Sequence, residues 1–203
     1  MHPHLKVEKL VYGGFGPVSF EAAGGECIGI FGESGCGKTR LLRSIADLDP
    51  HDGRVTVNDD DCLSMPAPQW RRKVSFLPAD SQWWFDSVSS HFTRPPDSRE
   101  LKSLGLSQSV LNAEVSHLSS GEKQRLALLR TLFNSPAVLL LDEVTAHLDA
   151  ERVGLTEQKI IKLLSSGKLA AVWVSHNINQ LRRVCSRILF MQKGGIIVKE
   201  DRF

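Results

Sequence analysis

The stretch Ile28-Gly-Ile-Phe-Gly-Glu-Ser-Gly-Cys-Gly-Lys-Thr39 decides the fold of this chain of 203 residues. The apolar run Cys27–Phe31 predicts a buried strand, and the segment from Gly32 to Thr39 fits the phosphate-loop pattern G-x-x-x-x-G-K-[ST]. Apolar residues at helical spacing follow as far as Ala46. A strand, a glycine-rich loop and a helix in this order are the context in which the pattern binds phosphate. The sequence therefore predicts a nucleoside triphosphate site rather than a plain glycine-rich turn.

The residue types in this loop suit phosphate chemistry. Glycines allow successive backbone N–H groups to turn toward phosphate oxygens, and the following helix N-terminus adds the positive end of a dipole. Lys38 is predicted to reach the β- and γ-phosphates, and the Thr39 hydroxyl to hold Mg²⁺. If the Cys36 thiol is accessible, its alkylation should block ATP binding. The predicted nucleotide contacts of the loop are Gly32, Glu33, Ser34, Gly35, Cys36, Gly37, Lys38, Thr39 and Arg40.

Composition narrows the class of protein. A content of 41% hydrophobic and 24% charged residues with a net charge of +2 is ordinary for a globular domain and unlike that of a nucleic-acid binder. The longest apolar run, Leu169–Val174, is far short of the ~20 residues that span a bilayer. The four cysteines include no C-x-x-C pair, so we expect neither a zinc site nor a disulfide framework. We expect a cytoplasmic chain that meets a membrane only through a partner.

The whole pattern predicts an α/β fold, a P-loop NTPase core with a mainly parallel central sheet. We predict an N-terminal antiparallel β-subdomain, with residues 1–77 and 117–203 forming the core and residues 78–116 forming a small helical insert. Long helices are predicted from Leu118 to about Asn134 and over Glu151–Ser165. The predicted strands are Leu5–Val11, Val18–Ala22, Cys27–Phe31, Arg54–Val57 as an edge strand, Lys73–Leu77, Ala137–Leu141, Leu169–Val174, Arg187–Met191 and Ile196–Lys199.

Three polar side chains are predicted at the ends of central strands, where ligands bind in open α/β sheets. Asp142 follows one strand and is predicted to support Mg²⁺, and Glu143 to polarise the water that attacks the γ-phosphate. His176 follows the next strand and could donate a hydrogen bond to the γ-phosphate, although a lone histidine there is more often structural. The predicted catalytic residues are therefore Lys38, Glu143 and His176.

Each of two aromatic features in the sequence allows two interpretations. Tyr12, next to a turn cluster, could stack on the nucleotide base or simply pack in the interior. The run Trp83-Trp84-Phe85 could form the hydrophobic core of the insert or an exposed anchor for a partner, since aromatic residues are enriched at interface centres.

Four motifs in a fixed order carry a resemblance to a known family. The phosphate loop is followed by Leu-Ser-Ser-Gly-Glu122, by Leu-Leu-Leu-Asp-Glu143 with Thr-Ala-His-Leu-Asp149 just after it, and by His176. Alone, Ser119-x-x-Glu122 could be no more than a capping box. Together the motifs resemble the ATP-binding cassette (ABC) ATPase family over essentially the whole chain. The resemblance implies that residues 118–122 are the signature motif, 146–149 the D-loop, His176 the switch histidine and Tyr12 the adenine-stacking residue. Its implied nucleotide contacts are Ser119, Ser120, Gly121 and Glu122.

The resemblance also implies a mechanism and partners. Two cassettes, expected to be identical, sandwich ATP and Mg²⁺ between the phosphate loop of one and the signature motif of the other. They drive a separate integral membrane permease on the inner face of the cell membrane, and no nucleic acid is expected. The motifs look closest to a small bacterial subgroup associated with iron or other metal export. The alternative is a cassette ATPase without transport, acting in translation or DNA maintenance. A single cassette without heptads and with near-neutral charge disfavours that alternative.

The chain departs from the family pattern after the strand Lys73–Leu77. The family usually has a glutamine there as a Mg²⁺ ligand and link to the membrane domain, whereas this chain has Pro78-Ala79-Asp80 with Gln82 farther on. Either Gln82 or Asp80 fills the role, or the role is lost. The remaining departures are Arg40 for a small hydroxyl residue, Ser120 for glycine, Val144 for proline and His147 within the D-loop. We therefore predict a hydrolytically competent ATPase with an atypical coupling loop.

Overall fold

The computed structural model describes the backbone of residues 2–202 and their side chains apart from those of 196 and 198–202. The strands are β1 His4–Tyr12, β2 Phe15–Ala23, β3 Cys27–Gly32, β4 His51–Val57, β5 Asp60–Asp61, β6 Val74–Leu77, β7 Val138–Asp142, β8 Ala170–Val174, β9 Arg187–Gln192 and β10 Ile196–Arg202. The helices are α1 Lys38–Ile45, α2 Ala67–Lys73, α3 Ser98–Lys102, α4 Ser120–Leu132, α5 Ala150–Leu164 and α6 Ile178–Val184.

The strands form two sheets, as expected for an α/β fold with a separate β-subdomain. The larger sheet has the order β10-β9-β3-β8-β7-β6, in which β9 to β6 are parallel and β10 adds an antiparallel edge. The smaller sheet is antiparallel, with the order β2-β1-β4-β5. The predicted α/β class with a mainly parallel central sheet is confirmed.

Both faces of the parallel sheet are buried, which explains the unbroken apolar runs in its strands. In β7, Val138 and Leu140 join one core cluster with α1 and the β-subdomain, whereas Leu139 and Leu141 join a second cluster with α4, α5 and α6. The same alternation places Trp173 of β8 in the second cluster. Successive strand residues therefore stabilise opposite sides of the molecule.

Two short helices were missed by the sequence prediction. Helix α2 begins just after Pro66, with Pro68 in its first turn, where a missing N–H costs little. Its Trp70 is fully buried and donates from Nε1 to the carbonyl of Ile45 at 2.9 Å. Helix α6 has seven residues, too few to show a periodic pattern, and starts at the side-chain cap of Asn177. Tertiary contacts stabilise α2, and a local cap starts α6.

One further expectation needs correction. Strand β4 is not at an edge of its sheet, because it pairs with β1 on one side and with the two-residue β5 on the other. The segment 78–116 contains one five-residue helix, α3, and otherwise only short 3₁₀ turns at Ser89–His91, Gln108–Asn112 and Val115–His117. The boundaries of this insert remain a prediction. Among residues 2–202, the helices are either too short or too polar for a span across a bilayer.

Candidate functional site

A cavity of about 310 Å³ opens where β3, β7 and β8 end. Carboxyl ends of parallel strands meet at this edge of the sheet, and the N-terminus of α1 points into it. The cavity is lined by Phe15, Ser34, Gly35, Gly37, Lys38, Thr39, Arg40, Asp142, Glu143, Val174 and His176. The structure thus brings most of the sequence-predicted residues of the phosphate loop together with the two carboxylates and the histidine.

The phosphate loop leaves backbone donors for an anion. Gly35 and Gly37 have φ values of 78° and 104°, in the left-handed region that residues with a Cβ rarely adopt. Gly37 caps α1 without a side chain, so the first N–H groups of the helix have no cap partner. Lys38 is 7% exposed, and its Nζ donates to the carbonyls of Gly32 and Glu33 at 2.7 Å each. A positive charge is therefore fixed beside the free amides.

Three loop residues do not line the cavity: Gly32, Glu33 and Cys36. The Cys36 side chain is 2% exposed and packs in the core cluster of α1 and the β-subdomain. The thiol is therefore not accessible in the folded protein, and the condition on which the predicted effect of alkylation depended is not met.

Asp142 is the buried carboxylate of the site. It is 3% exposed, and its Oδ1 has no hydrogen-bond partner among the described residues. Burial raises the pKa of Asp142, while a hydrogen bond with Thr39 and the charge of Lys38 act in the opposite direction. Burying a carboxylate oxygen without a partner costs free energy unless a bound ligand pairs with it. The pair of Asp142 and Thr39 suits a hard cation that takes few protein ligands and keeps water or phosphate oxygens, such as Mg²⁺.

Glu143 and His176 lie side by side across the cavity from the loop. Glu143 has a φ of 50°, and its N–H donates to the carbonyl of Val174 at 3.0 Å, which holds the ends of β7 and β8 together. Oε1 of Glu143 lies 3.3 Å from Nε2 of His176 and accepts no hydrogen bond from the described residues. Burial raises the pKa of Glu143, and the charge of His176 opposes this. Strained backbone of this kind is typical of active sites.

The structure corrects the expected role of Tyr12. Its ring is 1% exposed, its hydroxyl faces Sδ of Met191 at 4.0 Å, and burial raises its pKa. Tyr12 stacks on the inner face of Phe15 at a centroid distance of 5.8 Å and an interplanar angle of 17°. Phe15 itself lines the cavity and lies so close to Gly37 that a Cβ there would be 2.8 Å from the ring. The aromatic ring that lines the cavity is therefore that of Phe15, which is partly buried.

Sequence reasoning missed Phe15 because it lies within the turn cluster, where spacing does not show which ring faces out. Arg40 also lines the cavity, with its guanidinium carbon 5.7 Å from the centroid of the Phe15 ring. It donates from Nη1 to the carbonyl of Gly13 at 3.3 Å. Phe15 and Arg40 together form the end of the cavity away from the carboxylates.

Gln82 does not reach the site, which contradicts its expected role as a metal ligand. Its side chain is exposed, and its carbonyl accepts from Nη2 of Arg130 at 2.9 Å. Asp80 is likewise away from the cavity, with an 89% exposed side chain whose Oδ1 lies 3.8 Å from Nε2 of His147. After β6 the chain turns away from the cavity. Nε2 of Gln124 on α4 donates to the carbonyl of Pro78 at 2.7 Å and fixes this turn. Neither residue occupies the place of the expected glutamine.

The signature segment 118–122 lies away from the cavity of its own chain. Ser119 caps α4, and it forms a capping box with Glu122, whose Oε2 accepts from the Ser119 N–H at 3.0 Å. The side chains of Ser119 and Ser120 are exposed, and Gly121 is half-buried. The four residues Ser119, Ser120, Gly121 and Glu122 line no part of the cavity.

The aromatic run has features of both interpretations. Trp83 is half-buried and packs on the second core cluster, whereas Trp84 and Phe85 are 62% and 52% exposed. The Arg130 guanidinium lies over the rings of Trp83 and Trp84, 4.7 and 4.6 Å from their centroids. We call Trp84, Phe85 and Arg130 the aromatic surface. Its backbone is fixed because His91 Nε2 accepts from the N–H groups of Trp84 and Phe85 at 3.0 Å each.

Comparisons with known proteins agree with this geometry. A family model described as ABC transporter matches residues 15–146. The probable iron export ATP-binding protein FetA of Escherichia coli (strain K12) is 28% identical, over 92% of this chain and 88% of that protein. The methionine import ATP-binding protein MetN 1 of Pseudomonas savastanoi pv. phaseolicola (strain 1448A / Race 6) is 32% identical, over 92% of this chain but only 61% of that protein. The dimeric structure of a bacterial ABC transporter cassette superposes with a TM-score of 0.83 at 22% identity, covering 98% of both chains.

Proposed function

The chain belongs to the ABC transporter family of ATP-binding cassettes, and from this premise we propose that two copies of it sandwich ATP to drive a separate membrane permease. The observation that carries the proposal is a cavity that brings together phosphate-loop residues, two carboxylates and a histidine but contains no signature residue. Lys38, Asp142 and Glu143 line the cavity, whereas residues 118–122 line no part of it, and Ser119 and Ser120 are exposed elsewhere on the chain. A second copy would complete both sites at once through a two-fold interface.

We assign the roles within one site as follows. Phe15 stacks on the base, Arg40 and the phosphate-loop amides bind phosphate oxygens, and Lys38 reaches the terminal phosphates. Glu143 orients the attacking water and accepts its proton, and His176 donates to the γ-phosphate. Thr39 and Asp142 hold Mg²⁺, which neutralises phosphate charge when bound. The unpaired Oδ1 of Asp142 supports this, and the described residues contain no group of three or more His, Cys, Asp or Glu side chains that would favour another metal centre.

The second half of the site comes from the partner copy in this proposal. The N-terminus of α4 carries N–H groups that the capping box does not use, and these suit a γ-phosphate, whereas the Ser119 hydroxyl donates to Oε2 of Glu122 at 2.7 Å. Because ATP lies between the two copies, its terminal phosphate stabilises the dimer, and hydrolysis removes that contribution. FetA and MetN 1 are named for iron export and methionine import, so the cargo is set by the permease and not by the cassette. Both names favour transport over a role in translation or DNA maintenance.

The permease contact is proposed at the aromatic surface. Trp84 and Phe85 are two of the six large hydrophobic residues that are exposed among those described, and they are neighbours. This contact would hold the cassette on the inner face of the cell membrane. We expect a tagged chain from mildly solubilised native membranes to carry one stoichiometric multi-span protein. The double variant Trp84→Ala, Phe85→Ala is expected to lose it, because interface aromatics contribute about 2 kcal/mol or more each.

The matched control for the permease contact is Leu63→Ala. Leu63 is 68% exposed but lies beside the β-subdomain, and its variant should retain the membrane protein. If the double variant retains the membrane protein, the docking surface lies elsewhere on the cassette. Recovery of the wild-type chain with ribosomes, with DNA or with no partner would contradict transport itself.

Substitution at Phe15 tests the base contact. We expect Phe15→Ala to raise the Kd for ATP roughly five- to a hundredfold, because stacking contributes about 1–3 kcal/mol per base. Phe15→Trp should retain most of the affinity. Tyr12→Phe should not change the Kd, since the Tyr12 hydroxyl does not face the cavity. Titration of the wild type and of these three variants with a fluorescent ATP analogue measures the four Kd values, and unchanged affinity in Phe15→Ala would remove Phe15 from the site.

A further inference from the structure

A buried polar network lies behind the cavity, and none of the roles assigned above uses it. Its centre is Gln180 of α6, which is 2% exposed and does not line the cavity. We call this set of five side chains the polar network. Its members are Thr145, Glu157, Ser175, Gln180 and Arg183.

Gln180 joins three separate elements through its side-chain amide. Its Oε1 accepts from the hydroxyls of Thr145 and Ser175 at 3.1 and 2.9 Å. Its Nε2 donates to Oε1 of Glu157 on α5 at 3.1 Å and also lies 2.9 Å from Oγ1 of Thr145. Both oxygen lone pairs and the amide hydrogens therefore have partners.

The outer members of the network are also paired. Arg183 donates to Glu157 from Nη2 at 2.7 Å and from Nε at 3.1 Å, which compensates for the burial of that carboxylate. Ser175 Oγ accepts from the N–H of Asn177 at 3.1 Å. Four of the five members are buried, the Arg183 side chain is 53% exposed, and all five are paired. A buried network whose members are paired is rigid and favours one arrangement of the loops that it joins.

Those loops carry the two side chains proposed for hydrolysis. Thr145 is two residues after Glu143, and Ser175 directly precedes His176. The carbonyl of Thr145 also accepts from the N–H of Leu148, so the network reaches the segment 146–149. The network therefore joins the two loops whose side chains, Glu143 and His176, lie 3.3 Å apart.

We propose that Gln180 is a positioning residue for ATP hydrolysis. It fixes the loop of Glu143 relative to the loop of His176 without touching ATP. The inference rests on the proposed ATPase function and adds to it a residue outside the phosphate loop, the strand-end acids and the signature segment. If Gln180 has this role, changes in the polar network should lower the rate of ATP hydrolysis. They should not change the affinity for ATP, which depends on the residues that line the cavity.

The test compares kcat and KM for ATP in Gln180→Met, which keeps the side-chain length and removes all four hydrogen bonds. We expect kcat to fall about tenfold to a hundredfold, since misplacement of catalytic groups by about 1 Å has effects of that size. KM for ATP and the directly measured Kd should stay within about twofold of the wild-type values. Thr145→Val, which removes one link only, gives the same comparison if Gln180→Met does not fold.

A reciprocal exchange tests the network as the cause. In Gln180→Glu the carboxylate faces Glu157, and kcat should fall as in Gln180→Met. Combining Gln180→Glu with Glu157→Gln restores a hydrogen bond between these two positions with the donor reversed, but Nη2 of Arg183 and Oγ1 of Thr145 each lose one partner. The exchange should therefore restore kcat in part, to a value above that of Gln180→Glu. The control Thr156→Val removes a 2% exposed hydroxyl that bonds only to the carbonyl of Arg152 in its own helix, and it should hydrolyse ATP normally.

The outcomes separate this inference from the proposed function. A wild-type chain that binds no ATP contradicts the proposed function. A wild-type chain that hydrolyses ATP, together with a folded Gln180→Met or Thr145→Val of unchanged kcat, overturns the role of Gln180. An equal loss in Thr156→Val, or a loss in Gln180→Glu that the exchange does not reduce, overturns it as well.

Discussion

Replacement of Glu143 by glutamine is expected to lower the kcat of ATP hydrolysis by about 10²- to 10⁴-fold, the usual contribution of a general base. Glutamine has the same shape and tolerates the φ of 50° about as well as glutamate, so the phosphate loop and the bound nucleotide are unaffected. ATP that cannot be hydrolysed keeps the two copies together. Size-exclusion chromatography with MgATP should therefore show a stable dimer of the variant and a transient one of the wild type.

The control for Glu143→Gln is Glu151→Gln, an exposed acid at the start of α5 whose side chain is 73% exposed. It removes the same charge without touching the cavity, and both hydrolysis and the elution profile should match the wild type. A Glu143→Gln chain that holds MgATP yet elutes as a monomer would count against the sandwich dimer. Undiminished hydrolysis by this variant would instead assign the base to another residue.

Replacement of Lys38 by methionine is expected to weaken ATP binding about tenfold to a hundredfold and to abolish measurable hydrolysis. Methionine keeps the apolar stem and removes the ammonium group, whose hydrogen bonds to a charged ligand contribute about 1.5–3 kcal/mol. The loss in hydrolysis exceeds the loss in affinity, because charge on the terminal phosphates develops further in the transition state. Equilibrium binding and steady-state kinetics measure the two effects separately.

An exposed lysine provides the comparison for Lys38→Met. Lys168 lies between α5 and β8 and does not line the cavity, so Lys168→Met should bind and hydrolyse ATP as the wild type does. A Lys38→Met chain with wild-type affinity would mean that the backbone amides alone bind the phosphates. Thermal unfolding should accompany both measurements, because Lys38 also donates to the carbonyls of Gly32 and Glu33.

The parts of the fold that the sequence predicts are those with a local physical cause. A glycine-rich loop between an apolar strand and an amphipathic helix predicts its own geometry, and apolar runs such as Val138–Leu141 predict strands that are buried on both faces. The ends of such strands predict where Asp142, Glu143 and His176 meet. Each of these inferences needs only a few consecutive residues and the parallel order of the strands.

The parts that the sequence does not predict depend on contacts between distant residues. Whether Tyr12 or Phe15 lines the cavity depends on packing against distant residues such as Gly195, where a Cβ would lie 2.6 Å from the Tyr12 hydroxyl. Helix α2 is stabilised by the buried Trp70, which no periodic pattern indicates. Gln180 lies in a seven-residue helix, and its partners are up to 35 positions away in the chain.

The contact between the first hairpin turn and the turn after β9 bears on how the protein forms during synthesis. The N–H of Gly16 donates to the carbonyl of Gly194 at 2.8 Å, and β3, which carries the phosphate loop, pairs only with β8 and β9. All these partners lie far downstream of the phosphate loop in the sequence. The loop therefore gains its sheet neighbours only after residues 170–192 have emerged from the ribosome, so this part of the fold does not form stepwise from the N-terminus.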